Sequence, residues 1–133
     1  MSIEGTFQHV RNENLLEYFK SVGVPEDRAK QVDSAKPKLE VVVDGKKILM
    51  HSDSGAEKHT LTFILGEEVE ERMYNNTTIK NTAELDGSTL TVKSKMANGK
   101  SGARVFKFSD SELVMTLYED GGSIVAKRFF KRV

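Results

Sequence analysis

The stretch SIVAKRFFKRV, residues 123–133, places a permanent cation among apolar side chains at a spacing that could do chemistry. Read as a strand it alternates: Ile124, Ala126, Arg128, Phe130 and Arg132 share one face, and Val125, Lys127, Phe129, Lys131 and Val133 share the other. If the Ile124 face turns inward, Arg128 enters the protein interior. From the strand alone two readings stand. Arg128 either awaits an anionic ligand, or it pairs with an internal acid or faces solvent in a shifted register.

Other residue types invite catalytic readings and fail on spacing. His51, Ser52, Asp53 and Ser54 are the ingredients of hydrolysis, but neighbours in a strand point to opposite faces, so His51 cannot easily turn toward Ser52. No Gly-x-Ser-x-Gly elbow and no phosphate-cradling loop is present. The three histidines, His9, His51 and His59, match no familiar metal spacing, and there is no cysteine to act as ligand, nucleophile or disulfide partner. The expectation is a protein without cofactor, metal or turnover.

Bulk properties narrow the partners. Twenty basic and twenty acidic residues cancel, so no overall field draws nucleic acid. The opening MSIEGTFQHV lacks the apolar core of a signal peptide, and no stretch is long enough to span a bilayer. A single domain over residues 1–133, monomeric, soluble and cytoplasmic, is expected. Lys20, Arg28, Lys30, Lys36 and Lys38 gather around the segment 14–36 and could meet anionic membranes transiently, although Glu17, Glu26, Asp27 and Asp33 dilute them.

The elements that position these residues follow from turn signals. Asp44-Gly45, Gly66, Asp86-Gly87, Asn98-Gly99 and Asp120-Gly121-Gly122 punctuate the chain, each expected to reverse it between antiparallel strands. Strands are expected at GTFQHV, KLEVVVD, KKILMHSD, HTLTFIL, EVEERMY, TIKNTAEL, STLTVKSK, SGARVFKF, ELVMTLY and SIVAKRFF. Leu90, Val92 and Ser94 alternate with Thr89, Thr91 and Lys93, which predicts one inner and one wet face. Between Asn12 and Ala35 the period changes. Leu15, Tyr18, Phe19 and Val22 recur at helical spacing, Asn14 and Glu17 suggest a capping box, and Gly23 a stop. A second helix is expected from Pro25 at its first position, closed before Pro37. The fold class is therefore all-β: a ten-stranded antiparallel up-and-down barrel, a lipocalin-like clam, with a helix-turn-helix lid over about 14–36, between strands 1 and 2.

The opening GTFQHVRNENLLEYFKSVGV resembles that of the intracellular lipid-binding proteins, the cytosolic fatty-acid-binding and cellular retinoid-binding family. The likeness rests on Gly5, Thr6, Phe7, Asn12, Glu13, Asn14, Tyr18, Lys20, Val22 and Gly23. It continues through Ala35-Lys36-Pro37, residues 63–68, Leu85-Asp86-Gly87, Asn98-Gly99-Lys100 and residues 127–133. Leu16 stands where an acidic residue is usual and His9 where an aliphatic one is, so a strict pattern search is expected to miss this chain.

The resemblance implies a carrier that holds a long-chain fatty acid or similar hydrophobic carboxylate inside the barrel. A retinoid, bile acid or other apolar ligand is the alternative cargo; apart from the resemblance, a hydrolytic enzyme is the more distant alternative function. Arg128 falls on the family's carboxylate-binding arginine and Phe130 on the tyrosine two residues later. A phenyl ring cannot donate the hydrogen bond a phenol would. The family's second cavity arginine aligns with Phe106, while Arg104, two residues earlier on the same face, either replaces it or reaches the rim. His59 is a candidate substitute donor; the other reading is a histidine on the outer wall or bonded to backbone. Leu15 and Phe19 are expected to face the interior from the lid, and Met115, Leu117, Leu61, Met50 and Val41 to line the walls, with Ser52 and Ser54 among the ligand-facing residues. Ala56, small where relatives are bulky, implies an open entrance.

Overall fold

The computed structural model describes residues 3–72, 78–96 and 99–133. Its elements run β1 (Gly5–Glu13), α1 (Leu15–Ser21), α2 (Glu26–Ser34), β2 (Lys38–Asp44), β3 (Lys47–Asp53), β4 (Lys58–Ile64), β5 (Glu68–Arg72), β6 (Thr78–Asp86), β7 (Thr89–Met96), β8 (Ser101–Phe108), β9 (Glu112–Glu119) and β10 (Val125–Arg132). The ten strands form one antiparallel sheet in the order β4-β3-β2-β1-β10-β9-β8-β7-β6-β5. β1 joins the two halves by pairing with both β2 and β10. The sheet curls into a nearly closed barrel, and the inserted helices lie between the first two strands, as expected.

Glycine chemistry makes the hairpins. Gly45 and Gly87 each take φ 62 in two-residue loops closed by the Asp44–Lys47 and Asp86–Thr89 pairs. A side chain at either position would resist that conformation. Gly66 departs from expectation. It turns with φ 80, but β4 and β5 share no ladder among the described residues. The Leu65 N–H donates instead to the Lys46 carbonyl at 2.8 Å and the Gly66 N–H to the Ala83 carbonyl at 3.1 Å, so the chain crosses to β6 before β5 begins. A seam is left between β4 and β5. Asn98, with Met73 and Tyr74 at the end of the strand expected over 68–74, lies outside the described residues.

Alternation sorts the side chains. Leu90 and Val92 are fully buried and Ser94 nearly so, while Lys93 is exposed. Apolar burial concentrates in two places. Phe7, Ile48, Phe63, Leu90, Phe106 and Leu113 belong to a core in the barrel. Leu15 and Tyr18 of α1 pack against Leu117 and Ala126 in a second cluster under the lid.

Both helices are too short to persist alone, so tertiary contacts hold them. The capping box does not form. Asn14 adopts a left-handed φ of 55 without capping the helix, and its Nδ2 donates to the Val125 carbonyl at 3.4 Å, pinning the lid's start to β10. Pro25 sits one position earlier than expected, at the N-cap of α2, and α2 ends before Pro37. The Asn12 side-chain amide donates to the Asp33 carbonyl at 3.1 Å and to its carboxylate at 3.2 Å, tying α2 to β1.

Candidate functional site

Cross-strand register builds the inner wall in rows. Met50 faces both Val41 and Leu61, and Ser52 faces both Leu39 and His59. Met115 lies between Phe106 and Arg128, and Leu117 between Arg104 and Ala126. These rows surround a cavity of about 280 Å³ whose lining includes Phe19, Leu39, Met50, Leu61, Met115 and Phe130. That volume is near the lower end of small-molecule sites, roughly 300–1,000 Å³. Clefts at the seam and beneath α2 share several of its lining residues.

Arg128 borders this cavity, so the Ile124 face of the terminal strand does turn inward. Its Nε donates to Asn12 Oδ1 at 3.1 Å. Its Nη2 is shielded from solvent and has no hydrogen-bond partner among the described residues. Burial lowers its pKa to about 10, and the nearby Asp33 partly opposes that shift. The guanidinium thus remains charged at neutral pH, held on one side and unsatisfied on the other. The Phe130 ring lies beside it, 5.7 Å from the guanidinium carbon.

His9 completes the cluster. Its Nε2 lies 2.7 Å from Asn12 Oδ1, its Nδ1 is buried without a hydrogen-bond partner among the described residues, and its ring meets Phe130 edge-on at 5.2 Å. Burial pushes its pKa below the usual imidazole value; the Asn12 bond works against that shift and the Arg128 charge adds to it.

Arg104 takes neither course foreseen for it in full. It lines the cavity, but its Nη2 donates to Glu71 Oε1 at 2.7 Å, in a pair whose side chains are only 16% and 17% exposed. Asn81 Nδ2 donates to the same oxygen at 2.8 Å, and Ser94 Oγ donates to Asn81 Oδ1 at 2.6 Å. The second interior cation is therefore neutralised by the protein itself.

Phe106, Met115, Leu117, Leu61, Met50, Phe19, Ser52, His59, Phe130, Arg104 and Arg128 all border the central cavity. Leu15 and Val41 do not. Leu15 is consumed by packing beneath α1, and Val41 belongs to the core around Phe7. Ser54 borders the cleft under α2 rather than the cavity, together with Ala56. His59 borders the cavity and both of these clefts, which places it at the mouth. His51 Nδ1 is engaged with Thr60 Oγ1 at 2.8 Å on the exterior.

Sequence reasoning missed Glu71, Asn81 and Asn12. A signal existed for two of them. Asn81 falls between Ile79 and Ala83 on the buried face of β6, and Glu71 shares the half-buried face of β5 with Val69. A polar residue in an inward row needs a partner, and each is the other's. Across the mouth, Arg28 Nη1 of α2 pairs with Glu57 Oε1 at 2.8 Å, linking the lid to the β3–β4 turn.

A ten-stranded antiparallel barrel with two helices inserted after its first strand, enclosing a lined cavity, defines the class. Human fatty acid-binding protein 9 is 28% identical over 129 residues, 97% of this chain and 96% of that protein. Fatty acid-binding protein homolog 5 of Caenorhabditis elegans is 29% identical, covering 96% and 94%. The solved fatty acid-binding protein from the brain of Drosophila melanogaster superposes with a TM-score of 0.87 at 30% identity, covering 98% and 99%. No family model matches the chain. The chain belongs to the fatty-acid-binding proteins of the intracellular lipid-binding family.

Proposed function

We propose that this protein carries a long-chain fatty acid or similar hydrophobic carboxylate in the barrel cavity, its head group at Arg128 and its tail along the apolar wall. One observation carries the reading: Arg128 borders the cavity with a buried Nη2 that has no partner among the described residues. A carboxylate oxygen satisfies that N–H and offsets the desolvation of the charge. Phe106, Met115, Leu117, Leu61, Met50 and Phe19 supply apolar contacts, and Ser52 and His59 offer polar groups toward the mouth. Fatty-acid-binding relatives support the cargo class. Binding and release, without bond-making chemistry, is the proposed activity, because His51 is turned to Thr60 rather than to Ser52.

A monomer working in the cytoplasm fits this role, in line with the intracellular family. The lid's basic residues are proposed to touch anionic membranes during delivery. Glu26 tempers them, since Lys20 and Lys30 both lie within ion-pair distance of it.

Displacement of a fluorescent probe by hexadecanoic acid and by hexadecanol tests the head-group role. The wild type should prefer the acid by roughly 10- to 100-fold, the worth of a hydrogen bond to a charged group. In Arg128→Gln the acid-to-alcohol ratio should fall close to one. Equal affinity of the wild type for acid and alcohol refutes the assignment.

A further inference from the structure

The Arg104–Glu71 pair is a polar island in an otherwise apolar wall. It contributes to the lining together with Ser94, while Leu117, Ile79 and Met96 around it are apolar. Register fixes its distance from the head-group cation. Arg104 and Arg128 flank β9 on opposite sides, facing Leu117 and Met115, two residues apart. Two strand spacings and two residue rises put their backbones about 12 Å apart. A ligand anchored at Arg128 thus reaches the island with its chain rather than with its head.

The island has unused bonding capacity of both signs. Among the described residues Arg104 spends one N–H on Glu71 and its guanidinium carbon lies 5.6 Å from the Phe63 ring centroid, while its Nε and Nη1 have no hydrogen-bond partner. Glu71 Oε1 accepts from Arg104 and Asn81, and Oε2 accepts from no other group among the described residues. A plain alkyl chain lying here displaces water from these groups and replaces none of its hydrogen bonds. A carboxylate would satisfy Arg104 but stand against Glu71. A hydroxyl donates one hydrogen bond and accepts others, and so meets both partners without adding charge.

We propose that Arg104 and Glu71 form a neutral polar subsite that selects fatty acids carrying a hydroxyl partway along the chain, with Glu71 as the residue that denies the position to a second carboxylate. This rests on the carrier reading with the carboxylate at Arg128.

Competition binding to the whole protein tests it, with hexadecanoic acid, a positional series of its monohydroxylated forms, and hexadecanedioic acid. At least one hydroxylated isomer should bind the wild type roughly tenfold tighter than hexadecanoic acid, the value of a hydrogen bond to a charged partner. Glu71→Gln leaves Arg104 uncompensated and should raise the affinity for the dicarboxylic acid relative to the hydroxylated one. The double variant Glu71→Leu/Arg104→Met removes both partners together and should bring the hydroxylated-to-plain ratio near one, with thermal unfolding confirming a folded barrel. The inference is overturned if no isomer outbinds hexadecanoic acid, or if the preference survives in the folded double variant. Those results leave the carrier reading standing; failure of every acid to bind the wild type overturns both.

Discussion

His9 and Arg128 share one acceptor. Asn12 Oδ1 lies 2.7 Å from His9 Nε2 and 3.1 Å from Arg128 Nε. Because the Asn12 amide nitrogen is committed to Asp33 and arginine can only donate, His9 must hold its proton on Nε2. One amide thereby orients the cavity cation, sets a histidine tautomer and fastens α2 to β1.

Replacing Asn12 by leucine should therefore be costly. Arg128, His9 and Asp33 each lose a partner, and the expected loss is about 2–3 kcal/mol. Urea unfolding measures it. A midpoint within error of the wild type would show that water replaces the amide freely.

The lowered His9 pKa gives stability a defined pH dependence. Between the ordinary imidazole value of 6.5 and the lower folded value, the unfolded chain binds a proton that the folded chain resists. Stability is therefore lost as pH falls through that window and recovered above it. Comparing urea midpoints at two pH values on either side of 6.5, the wild type should lose more on acidification than His9→Gln, which keeps a donor for Asn12. Parallel losses would remove His9 as the cause.

Phe130 lies beside the Arg128 guanidinium and lines the cavity. In Phe130→Tyr the new hydroxyl can donate to a carboxylate held by that guanidinium. Affinity for hexadecanoic acid should rise by about 1.5–3 kcal/mol if the geometry is met. Calorimetric titration reads the change, and weaker binding would place the head group elsewhere.

The Arg28–Glu57 bridge crosses the mouth with both side chains substantially exposed, 33% and 52%. Such solvent-screened pairs contribute little to stability, so Arg28→Ala should unfold almost like the wild type. Transfer of a fluorescent fatty acid to neutral vesicles should nevertheless quicken, because one tie between lid and turn is gone. Stopped-flow rates unchanged from the wild type would mean that the mouth opens elsewhere.

Much of the architecture was legible because it depends on local chemistry. Alternation in residues 89–94 assigned Leu90, Val92 and Ser94 inward, and Asp-Gly dipeptides located two of the tight hairpins. Gly66 misled for a physical reason. Its positive φ requires a turn but does not say whether the flanking strands find each other, and here the chain is drawn to Lys46 and Ala83 instead. The Asn14–Glu17 box failed similarly, because Asn14 is claimed by Val125, a residue 111 positions away.

The site divides along the same line. Residue types and period two, read with the family likeness, placed Arg128, Phe130 and Arg104 on inner faces, since a strand has only two sides. Which interior charge is paired is a different matter. Glu71 and Arg104 lie 33 residues apart, on strands that are not neighbours in the sheet, and only curling of the sheet lets their side chains meet across the interior. Asn12 reaches Arg128 across the β1–β10 ladder, which joins the two ends of the chain. Barrel closure thus leaves one cation answered by the protein and the other turned, in part unanswered, toward the cavity.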